Sequence, residues 1–75
     1  MKRYHHPEGE SGVVAYEVAD DSITVRFNSG ATYLYTHQST GRTNVEHMKR
    51  LAADGAGLAA FISQYIGRNY AKKLA

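Results

Sequence analysis

Hydrophobic and polar residues alternate with a period of two on both sides of a short polar segment. The large apolar side chains occupy every second position: Ile23, Val25, Phe27, Tyr33 and Tyr35. Such alternation in β-branched and aromatic residues is typical of half-buried strands. Asn28-Ser29-Gly30 supplies the turn, with Gly30 in the left-handed region. The sequence therefore predicts a β-hairpin from Ile23 to Tyr35.

Two registers are open to this hairpin. A three-residue loop at positions 28–30 pairs Val25 with Tyr33 and Ile23 with Tyr35, and all the large side chains share one face. A two-residue turn at Ser29-Gly30 shifts the register by one residue and moves both tyrosines to the opposite face. We favour the three-residue loop because Ser is a poor first residue of a primed turn and because the first register gathers the large side chains.

A further strand is predicted before the hairpin, over Val13–Val18, with a tight turn at Asp20-Asp21. That turn predicts three pairs, which place the new strand's apolar residues on the hairpin's apolar face: Val18 with Ile23, Tyr16 with Val25 and Val14 with Phe27. The other face is mostly polar and is expected to contact water. It holds Val13, Ala15, Glu17, Thr24, Arg26, Thr32, Leu34 and Thr36.

Two C-terminal helices are predicted to cover the apolar face. Thr43 and Glu46 have the spacing of a capping box, and the helix they begin stops at Gly55. A second helix, ended by Gly67, carries apolar residues at helical spacing: Leu58, Phe61, Ile62, Tyr65 and Ile66. The basic tail after Gly67 is expected to add one helical turn anchored by Tyr70.

These elements predict an α+β domain, a three-stranded antiparallel β-meander covered on one face by two C-terminal helices. It spans residues 12–75, after a flexible lead at residues 1–11. The 75 residues include no cysteine and no apolar run of the roughly 20 residues that a membrane span needs. His5 and His6 are adjacent rather than at metal-ligand spacing, and His37 and His47 are far apart. We expect a cytoplasmic protein without metal, cofactor or small-molecule substrate.

Charge is unevenly distributed along the chain. Residues 1–37 carry three basic and five acidic side chains, whereas residues 38–75 carry six basic and two acidic ones. The basic residues of the second half are candidate phosphate ligands: Arg42, Lys49, Arg50, Arg68, Lys72 and Lys73. The alternative is a solvated helical surface, on which Lys49 and Arg50 are exposed in either case. Tyr33 and Tyr35 could stack nucleic-acid bases, but the favoured register makes them core residues.

The order and spacing of several short motifs resemble the KTSC domain, a module found alone in bacterial and phage proteins and at the C-terminus of some lysyl-tRNA synthetases. The resemblance covers about residues 11–73. Its motifs are Ser11, Ile23-Thr-Val-Arg-Phe27, Gly30 with Tyr33-Leu34-Tyr35, Phe61-Ile62 and Ile66-Gly67-Arg68-Asn69-Tyr70. The sequence departs from the family in a shorter first turn and in the Lys-Lys pair after Tyr70. The resemblance implies RNA binding as a possible function and no enzymatic activity.

The favoured function is a protein-interaction module, such as a small phage-type regulator or inhibitor that occupies a host protein. A small domain without an evident catalytic site acts by binding, and we expect no catalytic residues. Ser39 lies near His37, but chance pairs of this kind occur in any protein of this size. The alternative is an RNA-binding domain that uses the basic second half. The sequence does not choose between a protein partner and RNA, and it leaves the oligomeric state open.

Overall fold

The predicted hairpin forms the centre of an antiparallel sheet in the computed structural model, which describes residues 2–3, 12–55 and 57–75. Five strands follow one another in chain order across the sheet. They are β1 (Lys2–Arg3), β2 (Val13–Ala19), β3 (Ser22–Phe27), β4 (Thr32–Thr36) and β5 (Lys72–Lys73). The predicted three-stranded meander is therefore confirmed as β2–β4, and a two-residue strand is added at each edge. Residues 1 and 4–11 of the predicted lead lie outside the described residues.

The favoured hairpin register is confirmed. Val25 pairs with Tyr33, and Ile23 pairs with Tyr35. The Phe27 N–H donates to the Ala31 carbonyl at 2.8 Å and closes a three-residue loop. Gly30 ends that loop at φ 93°, a conformation that glycine adopts without strain. The loop therefore sets which side chains of β4 face the helices.

The predicted pairing of Val14 with Phe27 is wrong, because a β-bulge interrupts β2. The register shifts between Val13 and Ala15, so that Val13 pairs with Phe27 and Val14 is the extra residue. Val13 enters the core with 3% of its surface exposed, whereas Val14 is 39% exposed. Val13, expected on the wet face, thus belongs to the apolar face.

The bulge makes a testable prediction for two neighbouring valines of identical chemistry. We expect Val13→Ala to lower the free energy of unfolding by about 1–2 kcal/mol, because it removes two buried carbons. Val14→Ala should change it by less than about 0.5 kcal/mol. Urea denaturation of both variants measures the difference. Equal losses, or a larger loss for Val14→Ala, would contradict the bulge and support the pairing of Val14 with Phe27.

Three helical segments follow β4 and cover one face of the sheet. They are α1 (His37–Thr40), α2 (Arg42–Asp54) and α3 (Leu58–Phe61), which continues as a π-helical turn over Ile62–Ile66. The buried hydrophobic cluster joins sheet and helices: Val13, Ile23, Val25, Tyr35, Val45, Met48, Ala52, Leu58, Ile62 and Ile66. The two predicted C-terminal helices are confirmed as α2 and the α3–π segment.

The predicted capping box at Thr43 and Glu46 is wrong, because α2 begins earlier, after Gly41, without a side-chain cap. The capping box lies instead at the start of α1. The Ser39 N–H donates to Thr36 Oγ1, and the Thr36 N–H donates to Ser39 Oγ. Gly55 ends α2 in the left-handed region at φ 73°, as predicted, and its N–H donates to the Leu51 carbonyl.

The tail is a strand and not the expected helical turn. Lys72 pairs with Leu34, and Lys73 pairs with Tyr33. The Leu74 N–H also donates to the Thr32 carbonyl at 2.7 Å. Thr32 is consequently buried, although it was expected on the wet face.

Candidate functional site

The tyrosines of the family-like motif lie in and against the core. Tyr35 is 1% exposed, and Tyr33 and Tyr70 are half-buried beside it. The ring centroids of Tyr33 and Tyr70 are 4.6 Å apart, and Tyr70 meets Tyr35 edge-on at 6.3 Å. Burial, with a smaller contribution from the neighbouring Tyr33 and Tyr70, raises the pKa of Tyr35 to about 12. These rings are packed against one another and do not form an open platform for bases.

The six candidate basic residues do not form one continuous surface. Arg42, Lys49 and Arg50 belong to α2, whereas Lys72 and Lys73 belong to the edge strand β5. Successive residues of a strand point to opposite faces, so the two β5 lysines diverge. Lys73 lies with its Nζ 5.9 Å from the centroid of the Tyr33 ring, and Lys72 lies opposite Leu34 on the other face. Arg68 is exposed beyond the π-helical turn.

Lys49 is not the exposed residue that the sequence predicted. Only 15% of its side chain is accessible, and its Nζ donates to the Asp20 carbonyl at 3.0 Å. The same nitrogen pairs with the Glu46 carboxylate at 2.8 Å. Lys49 therefore joins α2 to the β2–β3 turn, and its ammonium group is paired within the fold.

Exposed arginines and aromatic rings meet on the outer side of α2 and on the α3–π segment. We define the arginine–aromatic face as Arg42, His47, Arg50, Phe61 and Tyr65. The His47 and Phe61 ring centroids are 4.6 Å apart, and those of Phe61 and Tyr65 are 5.3 Å apart, so that three rings form a row. Tyr65 ends this row with 68% of its surface exposed.

The two arginines of this face have no ion-pair partner among residues 2–3, 12–55 and 57–75. Two acidic side chains of α2 have helical spacing to these arginines: Glu46 is four residues from both, and Asp54 is four residues from Arg50. Glu46 Oε2 accepts hydrogen bonds from Lys49 Nζ and His37 Nε2, each at 2.8 Å. These bonds, that of Lys49 first, hold the pKa of Glu46 below its ordinary value. Glu46 is therefore charged and already paired, and the guanidinium groups of Arg42 and Arg50 are exposed to solvent.

An open hollow of about 370 Å³ lies along this surface of α2. It is lined by Arg42, Thr43, Glu46, His47 and Arg50. Its lining side chains are exposed, so the hollow is open to solvent and does not enclose a ligand. No cluster of three metal-ligating side chains occurs among the described residues, and His5 and His6 lie outside them. Ser39, the possible nucleophile near His37, hydrogen-bonds within the α1 cap, and His37 contacts Glu46.

Sequence periodicity assigned Phe61 and Tyr65 to the core; Phe61 does pack against the core, half-buried, whereas Tyr65 faces solvent. The reason is the π-helical turn, in which the Gly67 N–H donates to the Ile62 carbonyl, five residues back. A π turn is wider than an α turn, so each residue advances by a smaller angle. Ile66 therefore returns to the core side above Ile62, while Tyr65 is left facing solvent. Of this altered helix end, the sequence showed only the terminating glycine, Gly67, which has φ 57°.

Comparisons with protein-family models, with curated proteins and with solved structures found no match to this chain. The resemblance to the KTSC domain stays a prediction. Among the described residues, no helix has both the length and the apolar character required to cross a membrane.

Proposed function

We propose that this chain is a non-enzymatic protein-binding module and that the arginine–aromatic face is its contact surface. The observation that carries the proposal is the exposed ring of Tyr65, which lies 5.3 Å from the Phe61 ring and shares a face with two arginines that have no ion-pair partner among the described residues. Tyrosine and arginine are the residue types that most often dominate the energy of protein interfaces. The exposed rings at the two ends of the row, those of His47 and Tyr65, would bury apolar surface when a partner covers them.

A protein partner is favoured over RNA because the basic side chains are divided. Binding to a phosphate backbone relies on several cations along one track. Here Lys49 is paired within the fold, and Lys72 and Lys73 lie on the edge strand with diverging side chains. The family-like tyrosines, which would have been the stacking platform, are buried or half-buried.

The proposed role is that of a small cytoplasmic regulator, of the kind phages use to occupy a host protein. The proposed role is binding and not catalysis, since the hollow on α2 is open and the Ser39 hydroxyl accepts a hydrogen bond within the α1 cap. The proposal does not depend on the KTSC resemblance, because Phe61 is the one residue of the contact surface that belongs to the family-like motifs.

Site-specific photo-crosslinking in the cells that express this protein tests the proposal. A benzophenone side chain replaces Tyr65, and a matched control replaces Val18, an exposed apolar residue of β2. We expect a protease-sensitive, nuclease-resistant adduct from position 65 and a much weaker one from position 18. An adduct that nuclease removes would assign the face to RNA. Absence of an adduct at position 65 would also overturn the proposal.

Once the partner is identified by the crosslink, single substitutions should rank the contacts. We expect Tyr65→Ala and Arg50→Ala each to weaken binding at least ten-fold, which corresponds to about 1.4 kcal/mol. Lys72→Ala, at another exposed basic residue, on β5, should stay within about two-fold. Calorimetric titration measures the three dissociation constants, and the melting temperatures show that folding is unchanged. A larger loss for Lys72→Ala than for Arg50→Ala would move the interface to the edge strand.

A further inference from the structure

We infer that the segment recognised by the arginine–aromatic face is acidic, with carboxylates that pair with Arg42 and Arg50 and an apolar side chain between them that covers the aromatic row. This inference rests on the proposed function, since it names the chemistry of the protein partner.

Charge complementarity carries the inference. Arg42 and Arg50 expose two guanidinium groups without a partner among the described residues. Glu46, the acidic side chain between them, already accepts from Lys49 and His37. A guanidinium group binds a carboxylate through two parallel hydrogen bonds and is weakly hydrated, so it loses little on leaving water. The face therefore attracts carboxylates and repels basic segments.

The spacing of the two arginines limits the form of the partner. Eight residues of helix separate them, which is a rise of about 12 Å. An extended peptide covers that distance in roughly four residues. Two acidic residues about four positions apart can thus meet both arginines. The hollow between Arg42 and Arg50 then lies beneath the middle of the peptide, where an apolar side chain fits beside the His47 ring, which itself contacts the Phe61 ring.

A phosphate tract fits the same face less well, and salt dependence separates the two ligands. When two arginines neutralise phosphates of a single strand, the logarithm of the binding constant falls with the logarithm of the salt concentration with a slope of about −1.4. All six candidate cations would give about −4. The structure offers two arginines at one place, so a nucleic acid gains little here from counterion release.

Nuclear magnetic resonance titration of the isotopically labelled full chain tests the inference. The probe is a synthetic twelve-residue peptide with two glutamates four positions apart around a central leucine, and the matched control replaces both glutamates by glutamine. We expect the amide shifts to map to α2 and the α3–π segment and the glutamate peptide to bind roughly ten-fold more tightly. The double variant Arg42→Glu, Arg50→Glu should lose this preference and instead prefer a lysine version of the peptide.

The reversal of preference is the decisive result, because a merely structural role of the arginines could not produce it. Equal binding of the glutamate and glutamine peptides would overturn the inference, as would shifts confined to β5. Tighter binding of a twelve-nucleotide oligouridylate than of the glutamate peptide would also overturn it. A protein adduct at position 65 combined with no glutamate preference would overturn the acidic partner alone and leave the proposed function standing. An RNA adduct would overturn both.

Discussion

Replacing Tyr35 by alanine should lower the free energy of unfolding by about 3–5 kcal/mol, the range found for truncation of a buried aromatic side chain. Tyr35 is 1% exposed and contacts the rings of Tyr33 and Tyr70, so its removal leaves a cavity between sheet and tail. At about 0.05–0.15 kcal/mol per residue, the whole domain is stable by only about 4–11 kcal/mol. We therefore expect the variant to be largely unfolded at moderate temperature. Urea denaturation followed by circular dichroism gives the value.

Tyr65→Ala is the matched control, since it makes the same change at an exposed position. It should alter the free energy of unfolding by less than about 0.5 kcal/mol. The sequence pattern alone assigns both tyrosines to the apolar side, so it predicts a large loss for both. Similar losses for the two variants would contradict the outward position of Tyr65.

Tyr35→Phe separates the ring from its hydroxyl. The hydroxyl forms no hydrogen bond to any of the described residues, so its removal should change the stability by less than about 1 kcal/mol at neutral pH. Burial raises the pKa of Tyr35 in the folded state to about 12, from about 10 in the unfolded chain. The stability linked to the neutral hydroxyl is fully present below pH 10 and is lost as the pH rises to 12. The wild type should therefore lose roughly 2–3 kcal/mol more than Tyr35→Phe over that interval, as alkaline denaturation curves would record. Parallel curves would contradict a raised pKa.

The sheet was predictable because two local signals agreed. The Asn28-Ser29-Gly30 loop and the Asp20-Asp21 turn each fixed a register, and both placed Ile23 and Val25 on the same face. Register follows from turn chemistry and from alternation, which are both visible in a sequence. The bulge at Val14 was not visible, because Val13 and Val14 are the same residue type and only the packing of the sheet against the helices decides which one enters the core.

The candidate site could not be predicted from the sequence for a related reason. Tyr65 fits an α-helical stripe as well as Ile66 does, and its exposure depends on the hydrogen bond from Gly67 to Ile62 that widens the last turn. The pairing of Lys49 with Glu46 could have been expected from their i, i+3 spacing. The contact of Lys49 with Asp20 could not, because it joins segments 29 residues apart. Without those contacts, six cations in one half of the chain resemble a single basic surface.

The edge strand and the core tyrosines depend on each other, and Tyr70→Ala should show it. Tyr70 begins the extended tail, and its ring lies 4.6 Å from that of Tyr33. The Ala71 N–H then donates to the Leu34 carbonyl, and the Leu74 N–H donates to the Thr32 carbonyl, each at 2.7 Å. We expect a loss of about 2–4 kcal/mol, because the ring is half-buried and anchors the strand that follows.

Amide hydrogen exchange identifies where that loss occurs. In Tyr70→Ala the Ala71 and Leu74 amides should lose their protection, while the Val25 amide in the central strand keeps most of its own. Leu74→Ala, at a position where half of the side chain is exposed, should leave all three protected and change the stability by less than about 1 kcal/mol. Protected tail amides in Tyr70→Ala would mean that backbone pairing alone holds β5. Detachment of the tail carries Lys72 and Lys73 away from the fold and leaves α2 in place. Binding at the arginine–aromatic face should therefore persist in the folded fraction of the variant.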